Sequence, residues 1–90
     1  MRVIWSARAI TDLLTIRSYI RQNNPDAAQR IALEIRTAAL SLPRFPYRGI
    51  ARPDGTRELI ASRYPYILQY DVSESAIEIL AIWHGAQNRG

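Results

Sequence analysis

Ninety residues, 48% of them hydrophobic, make one small domain spanning 1–90, with enough apolar material for a core, which argues against a disordered chain. Cysteine is absent, which excludes disulfides and thiolate metal sites. With a single histidine as well, neither a metal nor any other cofactor is expected. The net charge of +4 rests on twelve arginines and no lysine. An acidic protein and a nucleic acid both suit such a surface, because the guanidinium fork pairs bidentately with carboxylate and with phosphate; a GC-rich genome would leave the same composition.

No apolar run approaches the roughly 20 residues of a membrane span. The opening M-R-V-I-W-S reaches a polar residue too early for a signal peptide. A cytoplasmic protein without a membrane partner is expected.

Arg2 to Trp5 reads as a short strand, and Ser6 as the N-cap of a helix ending near Gln22. Ala9, Leu13, Ile16 and Ile20 fall on one face of that helix, with Ile10 and Leu14 widening the stripe. Arg8 and Asp12 are spaced to pair on its outer side. Asn24 caps a second helix, Pro25 suits its first position, and Ala28, Ile31, Ala32, Ile35, Ala39 and Leu42 form its stripe. Asp26, Arg30 and Glu34 form an outward ladder of charge. The break at 23–25 is short, so the helices should be antiparallel.

Pro43 ends the second helix. The segment to Gly55 carries three prolines, two glycines, Arg44, Arg48 and Arg52, and reads as a loop without regular structure. Strands follow at about 56–61 and 65–72, with Tyr66, Leu68, Tyr70 and Val72 on one face. Ser73 to Ser75 makes a turn. The last strand, about 76–83, is apolar on both faces beyond Glu78 and belongs inside the sheet. The order β-α-α-β-β-β gives an α+β fold: an antiparallel helical hairpin on one face of a mostly antiparallel four-stranded sheet.

Phosphate-binding glycine loops are absent, and no nucleophile elbow supports a serine triad. The constellation with chemical potential is Arg57, Arg63 and His84, with Gln87, Asn88 and Arg89 behind it. A histidine to move the ribose 2′-hydroxyl proton and arginines to stabilise a phosphorane are the parts of metal-free RNA cleavage. The alternative expectation is that His84 simply ends a strand and that Arg57 and Arg63 make surface salt bridges, with Glu58 or Asp71 among the candidates. Arg44, Arg48, Arg52, Arg57 and Arg63 place five of twelve arginines within twenty residues, interleaved with Phe45 and Tyr47. They are the candidate partner-binding residues, or a solvated loop. Tyr64, Tyr66 and Tyr70 are of a type that stacks nucleobases or edges a core; Trp5 and Trp83 read as core residues.

Taken together, V-I-W-S-A-R-A-I-T-D-L-L-T-I-R-S-Y-I at 3–20, N-P-D-A-A at 24–28, F-P-Y-R-G at 45–49, R-P-D-G-T-R-E-L at 52–59, P-Y-I-L-Q-Y-D-V at 65–72 and I-E-I-L-A-I-W-H-G-A at 77–86 resemble the RelE/ParE superfamily of bacterial type II toxin–antitoxin modules. The resemblance implies the β-α-α-β-β-β fold and a small basic toxin of a plasmid-stabilisation type of module. Its partner would be a cognate acidic antitoxin encoded beside it, in a toxin–antitoxin hetero-oligomer. It further implies one of two targets: DNA gyrase, poisoned by binding alone, or the ribosome, where mRNA is cut. In the ribonuclease branch a catalytic arginine commonly precedes the tyrosine of the third strand by three residues. If Tyr70 is that tyrosine, the position here is Ile67, and Gly85 follows His84 where an aromatic often sits. Gyrase inhibition with no catalytic residue is therefore the favoured expectation. Ribonuclease activity through Arg57, Arg63 and His84, or an inactive relative that keeps antitoxin binding, are the alternatives.

Overall fold

A computed structural model describes residues 1–86. Strand β1 (Arg2–Trp5) leads into helices α1 (Ala7–Arg21) and α2 (Pro25–Ser41). Strands β2 (Ile50–Ala51), β3 (Arg57–Ile60), β4 (Tyr66–Val72) and β5 (Ala76–His84) follow. They form one sheet in the order β1-β5-β4-β3-β2, antiparallel except where β1 runs beside β5. The sheet thus has five strands rather than four. The extra strand is β2, inside the segment expected to be wholly irregular: Ile50 and Ala51 pair with Glu58 and Arg57. Two residues between a proline-rich loop and a turn carry no periodicity to announce a strand. None of the helices among the described residues is long and apolar enough to cross a membrane.

Both helices start on the caps read from sequence. The Ala9 N–H donates to Ser6 Oγ at 3.0 Å and the Ala27 N–H to Asn24 Oδ1 at 3.1 Å. The buried core takes Ala9 from α1, Ile31, Ile35 and Ala39 from α2 with Leu42 after it, Leu59 from β3, Tyr66, Leu68 and Tyr70 from β4, and Ile77, Ile79 and Ile82 from β5. Leu13, Ile16 and Ile20 pack against it. Ile10 and Leu14 do not widen that stripe: both are about half exposed, on a flank of α1 that the small sheet does not reach. The expected ladder Asp26–Arg30–Glu34 closes no ion pair; those among the described residues are Arg8–Asp12 and Arg52–Glu58, each at 3.5 Å.

One irregularity in β5 sets the geometry of the site. Tyr70 is opposite Ile79 but Gln69 is opposite Ala81, so Leu80 is an extra residue, a β-bulge. Before the bulge Ile77 and Ile79 face the helices; after it Ile82 and His84 do, while Ala81 and Trp83 turn to the other face. The start of α1 holds this bulge. The Ser6 N–H donates to the Ile79 carbonyl at 2.9 Å, Ser6 Oγ donates to the Leu80 carbonyl at 3.0 Å, and Asp12 Oδ2 accepts the Ile82 N–H at 3.0 Å. Asp12, read as an outward partner of Arg8, makes that pair and also reaches down to the sheet.

Candidate functional site

The arginine-rich segment is fixed from beneath. The Tyr70 side chain is fully buried among core residues, and its hydroxyl donates to the Pro46 carbonyl at 2.8 Å and accepts the Gly49 N–H at 2.9 Å. Arg57 donates from Nε to the Gly49 carbonyl at 3.1 Å and from Nη2 to the Tyr47 carbonyl at 3.2 Å, and its guanidinium lies 5.2 Å from the centre of the Tyr47 ring. Gly49 has to be glycine: a Cβ there would come within 2.8 Å of the Tyr70 hydroxyl and 2.9 Å of the Glu58 carbonyl. Arg48 Nη1 donates to Ser41 Oγ at 2.7 Å at the end of α2. Tyr70 therefore cannot stack a nucleobase, because its ring is enclosed. Glu58 is occupied by Arg52 and not by Arg57 or Arg63. Arg44, Arg48 and Arg52 are exposed, and Phe45, Tyr47 and Ile50 are 58%, 67% and 70% exposed beside them.

His84 lies at the other end of the sheet. Its ring meets that of Tyr66 edge to face, with centroids 5.2 Å apart, and its Nδ1 accepts the Ala86 N–H at 3.0 Å. It lines a groove of about 650 Å³ with Arg8, Asp12, Thr15, Tyr19 and Tyr66, continuous through Tyr19 and Tyr66 with a smaller hollow beside Tyr64 and Asn24. Burial pushes the Tyr66 phenol above its ordinary pKa, and the neighbouring Tyr19 adds to the shift. Arg63 sits in the turn between β3 and β4, where it lines a separate hollow with Arg30, Glu34 and Tyr64.

The three residues expected to form a ribonuclease set are therefore not drawn together. Arg57 is opposite Tyr70, whereas His84 is opposite Tyr66. Four residues of strand, about 13 Å, and two strand spacings, about 10 Å, separate them. The face of the sheet away from the helices carries Ile67 opposite Trp83, with Gln69, Glu58, Asp54 and Arg52 around a groove of about 570 Å³. Trp83 is buried there and not in the main core, while Trp5 packs against the core as expected. No group of three or more His, Asp or Glu side chains suited to a metal occurs among the described residues. Gln87, Asn88 and Arg89 lie outside the described residues.

Reading the sequence missed three functionally placed groups: the Tyr70 hydroxyl, the Asp12 carboxylate and the bulge at Leu80. None left a trace: positions 79–83 are all apolar, so the change of face across the bulge does not show.

Comparison with known proteins adds the following. Residues 3–89 match the family described as "ParE toxin of type II toxin-antitoxin system, parDE". Toxin RelE2 of Caulobacter vibrioides is 43% identical over 86 residues, covering 96% of this chain and 97% of its own. A second Caulobacter vibrioides protein, Toxin RelE1, is 29% identical over 89 residues, with 97% of this chain and 96% of its own covered. Among solved structures, a chain of the chromosomal ParDE toxin–antitoxin system of P. aeruginosa superposes with a TM-score of 0.81 at 26% identity, over 93% of this chain and 95% of its own. A YoeB/ParE toxin from Agrobacterium tumefaciens shares the fold, with a TM-score of 0.64 at 16% identity over 93% and 98% of the two chains.

Proposed function

The chain belongs to the ParE toxin family of type II toxin–antitoxin systems, and from that premise we propose that it inhibits DNA gyrase by binding, in the cytoplasm, and is neutralised by an acidic antitoxin. No reaction is assigned to it. One observation carries this reading: Arg57, a member of the expected catalytic set, gives two donors to backbone carbonyls of the 47–49 loop, far from His84. A guanidinium engaged in that way is not poised over a phosphate in the histidine's groove. On the opposite sheet face Ile67 and Trp83 occupy a cross-strand pair where a ribonuclease would want positive charge. The antitoxin half of the reading rests on the family and on the +4 charge carried by arginine alone.

A second reading, ribosome-dependent cleavage of mRNA, draws on the groove in which His84 stands beside Tyr19, Tyr66 and Arg8. Expression of the toxin without its antitoxin separates the two. Gyrase inhibition gives filamentation with DNA-damage signalling, whereas the ribonuclease gives rapid translation arrest and mRNA cut within codons; normal growth marks an inactive relative. His84→Ala sharpens the result. On the gyrase reading the folded variant stays toxic. On the ribonuclease reading it loses roughly 10²–10⁴-fold in rate, and a folded, non-toxic His84→Ala protein would overturn our proposal.

A further inference from the structure

We propose that the arginine loop, residues 44–52, is a preformed contact surface for an acidic segment of the antitoxin, and that Tyr70 and Arg57 are positioning residues that hold it in shape. The inference rests on the antitoxin reading above and adds where that partner sits.

The loop has two sides with opposite properties. Its inner side is tied down by side chains from the sheet: the carbonyls of Pro46, Tyr47 and Gly49 and the N–H of Gly49 are all bonded by Tyr70 or Arg57. Pro43 and Pro46 restrict the backbone further. Its outer side presents Phe45, Tyr47 and Ile50, each more than half exposed, alternating with exposed Arg44, Arg48 and Arg52. A loop that merely connected α2 to the sheet would need neither the three exposed apolar side chains nor the buried hydroxyl that fixes it. Aromatic and arginine side chains held in place are the composition of interface hot spots, and holding them before binding removes an ordering cost from association.

The charge identifies the occupant. Arg52 is paired with Glu58, while no carboxylate of the described residues lies within ion-pair distance of Arg44 or Arg48. A segment that places apolar side chains on Phe45, Tyr47 and Ile50 and carboxylates on Arg44 and Arg48 satisfies both halves of the surface, and an acidic antitoxin segment has that chemistry. A second copy of this chain, also at +4, does not.

The experiment measures binding of the purified toxin to the product of the adjacent gene, with Kd and both rate constants recorded. Tyr47→Ala and the double variant Arg44→Glu, Arg48→Glu are expected to weaken Kd at least tenfold. Arg17→Glu makes the same kind of charge change on the exposed side of α1 and should shift Kd by less than about twofold. Tyr70→Phe keeps the buried ring and removes only the hydroxyl. It should speed amide exchange at Gly49, leave exchange of the β4–β5 amides unchanged, and weaken Kd severalfold; a purely structural role would not couple local exchange to affinity. No complex with the wild-type toxin at low salt overturns the antitoxin reading and the surface together. A wild-type complex that the loop variants leave unchanged overturns the surface alone. Variants that keep the antitoxin but lose toxicity give the surface to the cellular target and likewise overturn it.

Discussion

The two ends of the sheet differ in what their charged groups do. At the Arg57 end a guanidinium and a buried phenol hold the backbone of a loop, and the loop's remaining arginines face outward. At the His84 end Arg8, which lines the groove, is paired with Asp12, and Asp12 also holds the bulge in β5. The first end carries exposed arginines on a tethered loop; the second is a groove lined by Tyr19, Tyr66 and His84, in which Arg8 is paired with Asp12. On the reading proposed above, the density of arginine in the sequence marks where a partner is met, away from the groove that holds His84. That separation is the physical reason for favouring binding over cleavage.

The largest effect expected on this contrast comes from filling the space under the loop. Gly49→Ala would set a methyl group 2.8 Å from the Tyr70 hydroxyl and 2.9 Å from a backbone carbonyl of β3. The carbonyl is fixed by the sheet, so the loop must move and the Gly49–Tyr70 hydrogen bond must lengthen. Overpacking of this kind costs about 1–3 kcal/mol. Denaturant unfolding should show it as a lower midpoint at unchanged m-value, with the ring signals of Tyr66 and His84 undisturbed. A loss below about 0.5 kcal/mol would mean that the loop is not clamped.

A smaller effect is expected at the other end. Asp12→Ala leaves the Ile82 N–H without its acceptor. An unsatisfied buried donor costs about 1–3 kcal/mol, and access of water from the adjoining groove brings the expectation to about 1 kcal/mol. Loss of the exposed Arg8 pair adds little. Asp12→Asn keeps an acceptor oxygen and should recover most of the loss. If Asn is as poor as Ala, the ion pair matters more than the bulge contact, and the comparison between the two ends changes accordingly.

These two substitutions also mark what the sequence could reveal. Local rules gave the caps at Ser6 and Asn24, the helical stripe from Ala9 to Ile20 and the period-two face from Tyr66 to Val72, because each depends only on neighbours in the chain. The superfamily resemblance agreed with that order of elements. What stayed hidden depends on contacts between distant residues. β2 exists because β3 offers it an edge; the phenol of Tyr70 finds a carbonyl and an N–H twenty-odd positions away; and Asp12 meets a strand seventy residues on. His84 was identified as a candidate, but its face was not legible, since a run apolar on both sides conceals a one-residue bulge.

The smallest predicted effect is a pH dependence confined to the His84 end. Tyr66 is buried against His84, and the same burial raises its pKa above the ordinary value near 10. The sign follows from linkage. Above pH 10 the unfolded chain releases the phenolic proton while the folded chain still holds it, so the unfolded state binds fewer protons and stability falls with rising pH. The contribution is fully present below the unfolded pKa and is lost as pH rises through the folded one. Tyr66→Phe keeps the edge-to-face ring and removes the titrating group. The wild-type and Tyr66→Phe stabilities should run in parallel from pH 6 to about 9 and diverge above about 10, the variant losing less. Tyr70 shows why the comparison is specific: its hydroxyl is engaged by Pro46 and Gly49, so Tyr70→Phe should loosen the 46–49 backbone already at neutral pH. Parallel curves for Tyr66→Phe throughout the alkaline range would mean that its phenol is as well solvated folded as unfolded, and that the groove beside His84 is wetter than its aromatic lining suggests.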